Sequence, residues 1–348
     1  MLLKDFLPRS CLKVDAHEIT KPYRPVFDSH THWGEMLFDS NYPDLYDTVA
    51  AIESMKSYGI MGCVNLCGFW GDKLKRMFDK IGNHRDYIHT FGSLDVSLLD
   101  EPNWETLAYQ TIRESVSAGV EGMKFWKNIS LTLKDKSGAF IRVDDPRLQV
   151  IWQTCAEFSI PVLIHIADPV AFFEPIDCYN ERWEELMNNP DWSFCAPGLF
   201  KFHELMEQQD NLMASNRNTL FIVPHFGSYV ENLAWVGSQL DKHPNMYIDV
   251  AARIAELGRQ PFTARKFFLK YSNRILYGSD FSPVSHDEYP IAYRFFETSD
   301  EYFPYSYAPN GGGSGRWRIY GIDLPPDILD QLYYENAAKI LGLKSEGM

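Results

Sequence analysis

The sequence predicts an α/β fold, a parallel (β/α)8 TIM barrel with loop insertions after strands 5 and 8. Three observations carry this. Eight short apolar runs recur along the 348 residues, segments of helical period lie between them, and the chemically interesting polar residues fall at the C-terminal ends of several runs. An open doubly wound sheet shows the same alternation but gathers its ligand residues at one switch point.

The runs cover residues 25–28, 62–66, 87–94, 120–126, 160–166, 219–224, 245–250 and 274–277. Several are almost continuously apolar, as strands covered on both faces are. Residues 44–58 place Leu45, Val49, Ile52 and Met55 at three- and four-residue spacing and stop at Gly59. Residues 103–118 open on Asn103 as an expected cap and stop at Gly119. Residues 146–158, 201–215, 228–242 and 261–271 continue the alternation. Residues 1–24 read as an extension packed along the bottom or side of a barrel formed by 25–348.

Two spacers exceed ordinary βα loops. Residues 168–200, rich in Phe172, Phe173, Tyr179, Trp183, Trp192 and Phe194, read as a lid or pocket wall; a surface excursion with its own small core is the competing reading. Residues 298–322 contain Gly311, Gly312, Gly313 and Gly315 without a following Lys-Ser/Thr, so they read as a flexible loop and not a phosphate cradle.

Composition narrows the function. The net charge is -14, which repels a phosphate backbone and argues against nucleic acid. No sustained apolar run has the length of a membrane span, and the first residues lack a signal-peptide core. Six cysteines without a CxxC pair read as reduced thiols, so a cytoplasmic location is expected. No nucleophile elbow, Walker or Rossmann phrase is present.

The strongest local signal is FDSHTHWG, residues 27–34. In extended chain, alternate side chains share a face, so His30 and His32 converge on one point. PVLIHIAD ends the fifth run with His165, LFIVPHFG the sixth with His225, and ILYGSDFS places Asp280 just past the eighth. In a barrel all five meet at one rim. Imidazole and carboxylate are the donors that zinc and related ions favour, and such an ion lowers the pKa of a coordinated water toward about 7. Asp280 is the candidate proton acceptor, and His225 the group that orients water or polarises a carbonyl.

These residues resemble the amidohydrolase superfamily, and more closely its amidohydrolase-related branch of aminocarboxymuconate semialdehyde decarboxylase-like metal-dependent hydrolases, which holds both decarboxylases and lactone hydrolases. YGSDFSP (277–283) and the tail LYYENAAKILGL (332–343), with its Tyr-x-Asn-Ala phrase, carry the closer likeness. The resemblance implies metal ligation by His30, His32, His165 and Asp280. For His225 it implies a catalytic, supporting or second-metal role. The implied cofactor is one divalent ion, zinc first and manganese as the alternative, with a second metal less favoured. Strand four reads VEGMKFWK. In some superfamily members a lysine there is carboxylated and bridges two metals; in this branch Lys124 is better read as a contact for a substrate carboxylate.

Trp33, Trp126 and His286 join Lys124 as candidate substrate contacts, with Glu35 and Trp70 as further pocket walls. His17, His84, His89, His203 and His243 read as structural or solvated. The expected activity is hydrolysis of a C–N, ester or lactone bond in a small substrate, by a metal-activated water. Non-oxidative decarboxylation of a small carboxylic acid at the same metal is the alternative, kept open by Lys124 and Lys127. A binding protein that has lost catalysis is disfavoured because no ligand is missing. The expected partner is the small-molecule substrate, with no membrane or nucleic acid; a homodimer is common among such barrels.

Overall fold

A computed structural model describes residues 9–34, 46–283, 288–307 and 313–343. Eight strands run in chain order around one parallel sheet: β1 (Val26–Thr31), β2 (Ile60–Phe69), β3 (Ile88–Gly92), β4 (Gly122–Phe125), β5 (Val162–Ile164), β6 (Phe221–Val223), β7 (Met246–Asp249) and β8 (Ile275–Leu276). The last strand returns to the first. Ser29 N–H donates to Tyr277 O at 2.9 Å, Asp280 N–H to His30 O at 2.8 Å and His32 N–H to Phe281 O at 2.9 Å. The barrel predicted from alternation is therefore the fold observed.

One main helix follows each strand: α1 (Thr48–Ser57), α2 (Gly71–Ile81), α3 (Trp104–Ala118), α4 (Gln149–Glu157), α5 (Phe202–Ser215), α6 (Leu233–Lys242), α7 (Pro261–Tyr271) and α8 (Tyr289–Glu297). Asp47 caps α1 by accepting from Ala50 N–H at 2.7 Å. Gly119 ends α3 in the left-handed region with φ 101°, as its position predicts.

Three expectations need correction. Asn103 precedes α3 but makes no side-chain cap. The sixth helix begins at Leu233 and not at residue 228, because His225, Phe226, Gly227 and Ser228 all have positive φ and form a left-handed turn first. Helices α2 and α8 had no counterpart among the marked periodic segments. In α2 only Leu74, Met77 and Ile81 are buried, and six charged residues dilute the stripe.

Two apolar layers result. The larger lies between strands and helices. The smaller fills the barrel: Phe27, Leu66, Phe91, Leu163, Ile222, Tyr247 and Leu276 meet Tyr334 and Ala337 of the C-terminal helical segment. Asn336 of that segment donates to Ser272 O and Ile275 O, both at 2.7 Å, which ties the tail to β8.

The stretch 168–200 holds only short helical turns, with Phe172, Phe173, Leu186 and Phe194 buried. Arg182 lies within it, 2% exposed. It pairs with Glu185 at 2.7 Å and with Glu256 beyond β7. Arg259 adds a pair to Glu181 at 2.7 Å, and Arg316 one to Glu184 at 2.6 Å. Residues 17–24 run beside the end of α8: His17 N–H donates to Asp300 at 2.7 Å and Tyr23 N–H to Glu297 at 3.0 Å. No helix among the described residues is long and apolar enough to cross a membrane.

Candidate metal centre

Strand periodicity builds the site. Lys124 and Leu163 are register partners, as are Ile222 and Tyr247, so their side chains share a face of the sheet. Leu163, Ile222 and Tyr247 fill the barrel interior. Two residues further along, His165 and Asp249 extend the same inward face at the strand C-terminal ends. The β1–β2 register is irregular between Asp28 and Thr31, and across it the inward face passes from Phe27 to His30 and His32.

The imidazoles and carboxylates meet there. His30, His225 and Asp280 each offer a ligand atom within 4.8 Å of the others. Asp280 Oδ1 lies 3.3 Å from His30 Nε2 and 3.0 Å from His32 Nε2. The ring centroids of His165 and His225 are 4.4 Å apart, and those of His30 and His225 are 5.3 Å apart. His165 stands beside the cluster and outside that three-residue group; its Nε2 lies 3.2 Å from Asp168 Oδ1.

Two donors sit on strained backbone. His225 has φ 56° and Asp280 φ 70°, a region that costs a side-chain-bearing residue about 1–3 kcal/mol. Hydrogen bonds hold both: His225 N–H donates to Asp249 Oδ1 at 2.9 Å, and Asp280 N–H to His30 O at 2.8 Å. Asp28, wholly buried, accepts from Ser279 N–H and His30 N–H and from the Tyr289 hydroxyl, so it joins β1 to the turn carrying Asp280.

Electrostatics sets protonation. Burial disfavours a charged His30, but Asp249 and Asp280 outweigh it and raise the pKa from 6.5 to about 9. Burial pushes His32 and His165 down to about 4 and holds His225 well below its ordinary range. Asp280 would be raised by burial, yet the neighbouring His30 keeps it ionised. Neutral imidazole and carboxylate are the ligating forms, so His32, His165 and Asp280 stand ready to ligate and His30 would give up its extra proton to a cation.

The residues fit a divalent ion. His30 Nε2, His32 Nδ1 and His165 Nε2 are buried and lack hydrogen-bond partners. His30 Nδ1 faces Asp249 Oδ2 at 2.7 Å, and a carboxylate only accepts, so Nδ1 carries the hydrogen. His225 Nδ1 likewise donates to Ala251 O at 3.0 Å, which leaves Nε2 as the lone-pair nitrogen of the neutral ring. At neutral pH the metal-free His30 holds a proton between two carboxylates, in the position a cation takes over.

The expected substrate contacts divide. Trp126 stacks on His32 at 5.3 Å between centroids and, with Trp70, lines a cavity of about 380 Å³ at the ends of β2, β3 and β4. Trp33 is a core residue instead of a pocket wall: it is fully buried, and its indole donates to Thr31 Oγ1 at 3.1 Å. Lys124 is fully buried beneath the rim, its Nζ without a hydrogen bond and 4.4 Å from the centre of the Trp126 ring. Burial lowers its pKa to about 8. His286 and Glu35 lie outside the described residues.

Asp249 and Asp168 were not singled out in the sequence. Each is an acid closing an apolar run, in NMYIDV and LIHIAD, the same signal that marked His165.

A parallel eight-stranded barrel with histidines and an aspartate converging at one rim defines the class of metal-assisted barrel enzymes. The family model described as amidohydrolase matches residues 92–343, and the chain belongs to that family, as an enzyme of the amidohydrolase superfamily. No curated protein matches in sequence. Among solved structures, the chain is similar to a dihydroxybenzoic acid decarboxylase from a Polaromonas species with bound manganese and the inhibitor 2-nitroresorcinol; the TM-score is 0.57 at 13% identity, covering 92% of this chain and 97% of that one. A 2,6-dihydroxybenzoate decarboxylase from Rhizobium gives 0.57 at 13%, covering 92% and 99%. A probable 2-pyrone-4,6-dicarboxylic acid hydrolase from Acinetobacter baumannii, with citric acid bound, gives 0.52 at 11%, covering 91% and 99%. At these identities the likeness shows the fold, and relatives of both reaction types share it.

Proposed function

We propose that this chain is a metal-dependent hydrolase acting on a C–N, ester or lactone bond of a small substrate carrying a carboxylate. The observation that carries the reading is the convergence of His30, His225 and Asp280 within 4.8 Å, with His30 Nε2 buried and lacking a hydrogen-bond partner. One divalent ion, zinc or manganese, would be held by His30, His32, His165 and Asp280. When bound, it supplies Lewis acidity toward water and the scissile carbonyl. His225, its Nδ1–H committed to Ala251 O, presents Nε2 to orient the attacking water or polarise the carbonyl. Asp280 accepts the water's proton and returns it to the leaving group. Trp126 walls the substrate cavity, and Lys124 attracts the substrate carboxylate from beneath. The segment 168–200 serves as a wall over this rim.

A second reading, decarboxylation at the same site, is favoured by one feature: the buried Lys124 ammonium has no hydrogen-bonded counter-charge, which suits an anionic substrate. Metal analysis of the purified protein, then product analysis with lactone, amide and aromatic carboxylate panels before and after chelation, decides between them. Chelator-sensitive hydrolysis supports the first reading. Chelator-sensitive release of carbon dioxide replaces it with the second. Turnover that persists in metal-free protein ends both.

A further inference from the structure

Asp280 also lines a second cavity, of about 260 Å³, which shares no lining residue with the one walled by Trp126 and Trp70. The metal centre lies between the two. His32 stacks on Trp126 toward the ends of β2, β3 and β4, and Asp280, 3.0 Å from His32 Nε2, borders the second cavity beyond β7 and β8. Ile254 and Ala255 wall that cavity from the β7 side, Ala292 and Phe296 from α8, and Tyr305 and Ser306 from the segment after α8. These walls are mostly apolar and suit an apolar guest. The charges have one sign: Asp280 and Glu288 supply carboxyl groups, and no lysine, arginine or histidine is among the described lining residues. Glu288 Oε1 accepts from Ser306 Oγ and, at 3.0 Å, from Tyr307 N–H, which fixes its carboxyl in the wall. An anion entering here meets two acids, whereas on the other side of the centre the Lys124 ammonium lies against Trp126.

We propose that the cavity beside Asp280 is the subsite for the departing half of the substrate, and that this half is an apolar alcohol or amine without negative charge. The carboxylate-bearing acyl half then occupies the cavity at Trp126. The inference rests on the hydrolase reading above and narrows its substrate to an ester or amide of this kind. When the C–O or C–N bond breaks, its electron pair leaves with the departing oxygen or nitrogen. The proton that Asp280 took from water completes that atom, so the leaving group must stand on the Asp280 side of the centre.

The probe is 4-fluorobenzyl alcohol, a departing group of the proposed class, followed by fluorine NMR. Wild-type protein is expected to bind it, and the bound signal is expected to relax faster in manganese-loaded than in zinc-loaded protein. No binding, or equal relaxation with the two ions, overturns the proposal without any variant having to fold. Ala292→Phe and Ile254→Trp fill the cavity from opposite walls, and each is expected to weaken the probe at least about tenfold while manganese affinity stays as in wild type. Unchanged probe affinity in either folded variant overturns the proposal. The anion 4-fluorobenzoate is expected not to displace the alcohol; displacement at equal concentration overturns the uncharged-group assignment. Protein that binds neither manganese nor zinc, or that releases carbon dioxide in the product analysis above, sinks the hydrolase reading and this role with it. Chelator-sensitive hydrolysis by a protein that ignores the probe sinks only this inference.

Discussion

Asp249 and His30 form a buried pair, Oδ2 to Nδ1 at 2.7 Å, that joins the end of β7 to β1 across the barrel interior. The same carboxylate accepts the His225 main-chain N–H at 2.9 Å through Oδ1. One side chain therefore sets the tautomer of one imidazole and the backbone turn of another.

Asp249→Asn is expected to lower metal affinity by about 10–100-fold, because the amide leaves His30 without its ionised partner. Zinc or manganese titration of the chelated variant checks this. An affinity equal to wild type would show that Asp249 acts on the fold alone.

His30→Ala and Asp280→Asn are each expected to abolish turnover while circular dichroism and the melting transition keep their native form. Both side chains stand at the rim, above the apolar filling of the barrel, so their loss leaves the core layers in place. Full activity in either variant would remove the role given to that residue.

Lys124 supplies a pH prediction. Its pKa falls from 10.5 to about 8 on folding because burial opposes the ammonium. Between those values the unfolded chain binds the extra proton, so stability rises with pH from about 8 toward 10.5. In chelated protein, Lys124→Met is expected to lose that rise and to be more stable than wild type at pH 7, by at most roughly 3 kcal/mol. Denaturant melts at several pH values measure it; a rise of the same size in the variant would exclude Lys124 as its source.

Arg182→Met is expected to destabilise the protein by about 3–5 kcal/mol, since Glu256 remains buried without its guanidinium. Guanidinium unfolding gives the value. A midpoint equal to wild type would mean that water reaches Glu256 and that the pair fastens 168–200 only weakly.

The barrel was legible because parallel strands covered on both faces read as apolar runs, as in PVLIHI, and because Gly119 marks a helix end that only a left-handed residue makes easily. The charged α2 hid behind its solvent face, and the true start of α6 was displaced by a left-handed turn that no residue pattern around Phe226 announces. At the site, His165 was readable as the close of the fifth apolar run, and His30 and His32 from their shared parity. Asp249 and Asp168 were not: an acid after an apolar run looks like a solvated strand end until the folded barrel places a histidine or lysine from another strand against it. Trp33 reversed its expected direction for a similar reason, since only the fold turns its ring toward Tyr46 and the core.

The tail that stops the lower end of the barrel has a consequence for biosynthesis. Phe27, Phe91 and Tyr247 are translated long before Tyr334, Ala337 and the Asn336 latch that cover them. A nascent chain lacking its last few dozen residues would carry an uncapped apolar mouth, open to chaperones and to sticking between copies. Truncations that spare every rim histidine are thus expected to precipitate during expression, and the final helical segment decides when the newborn chain can leave assistance behind.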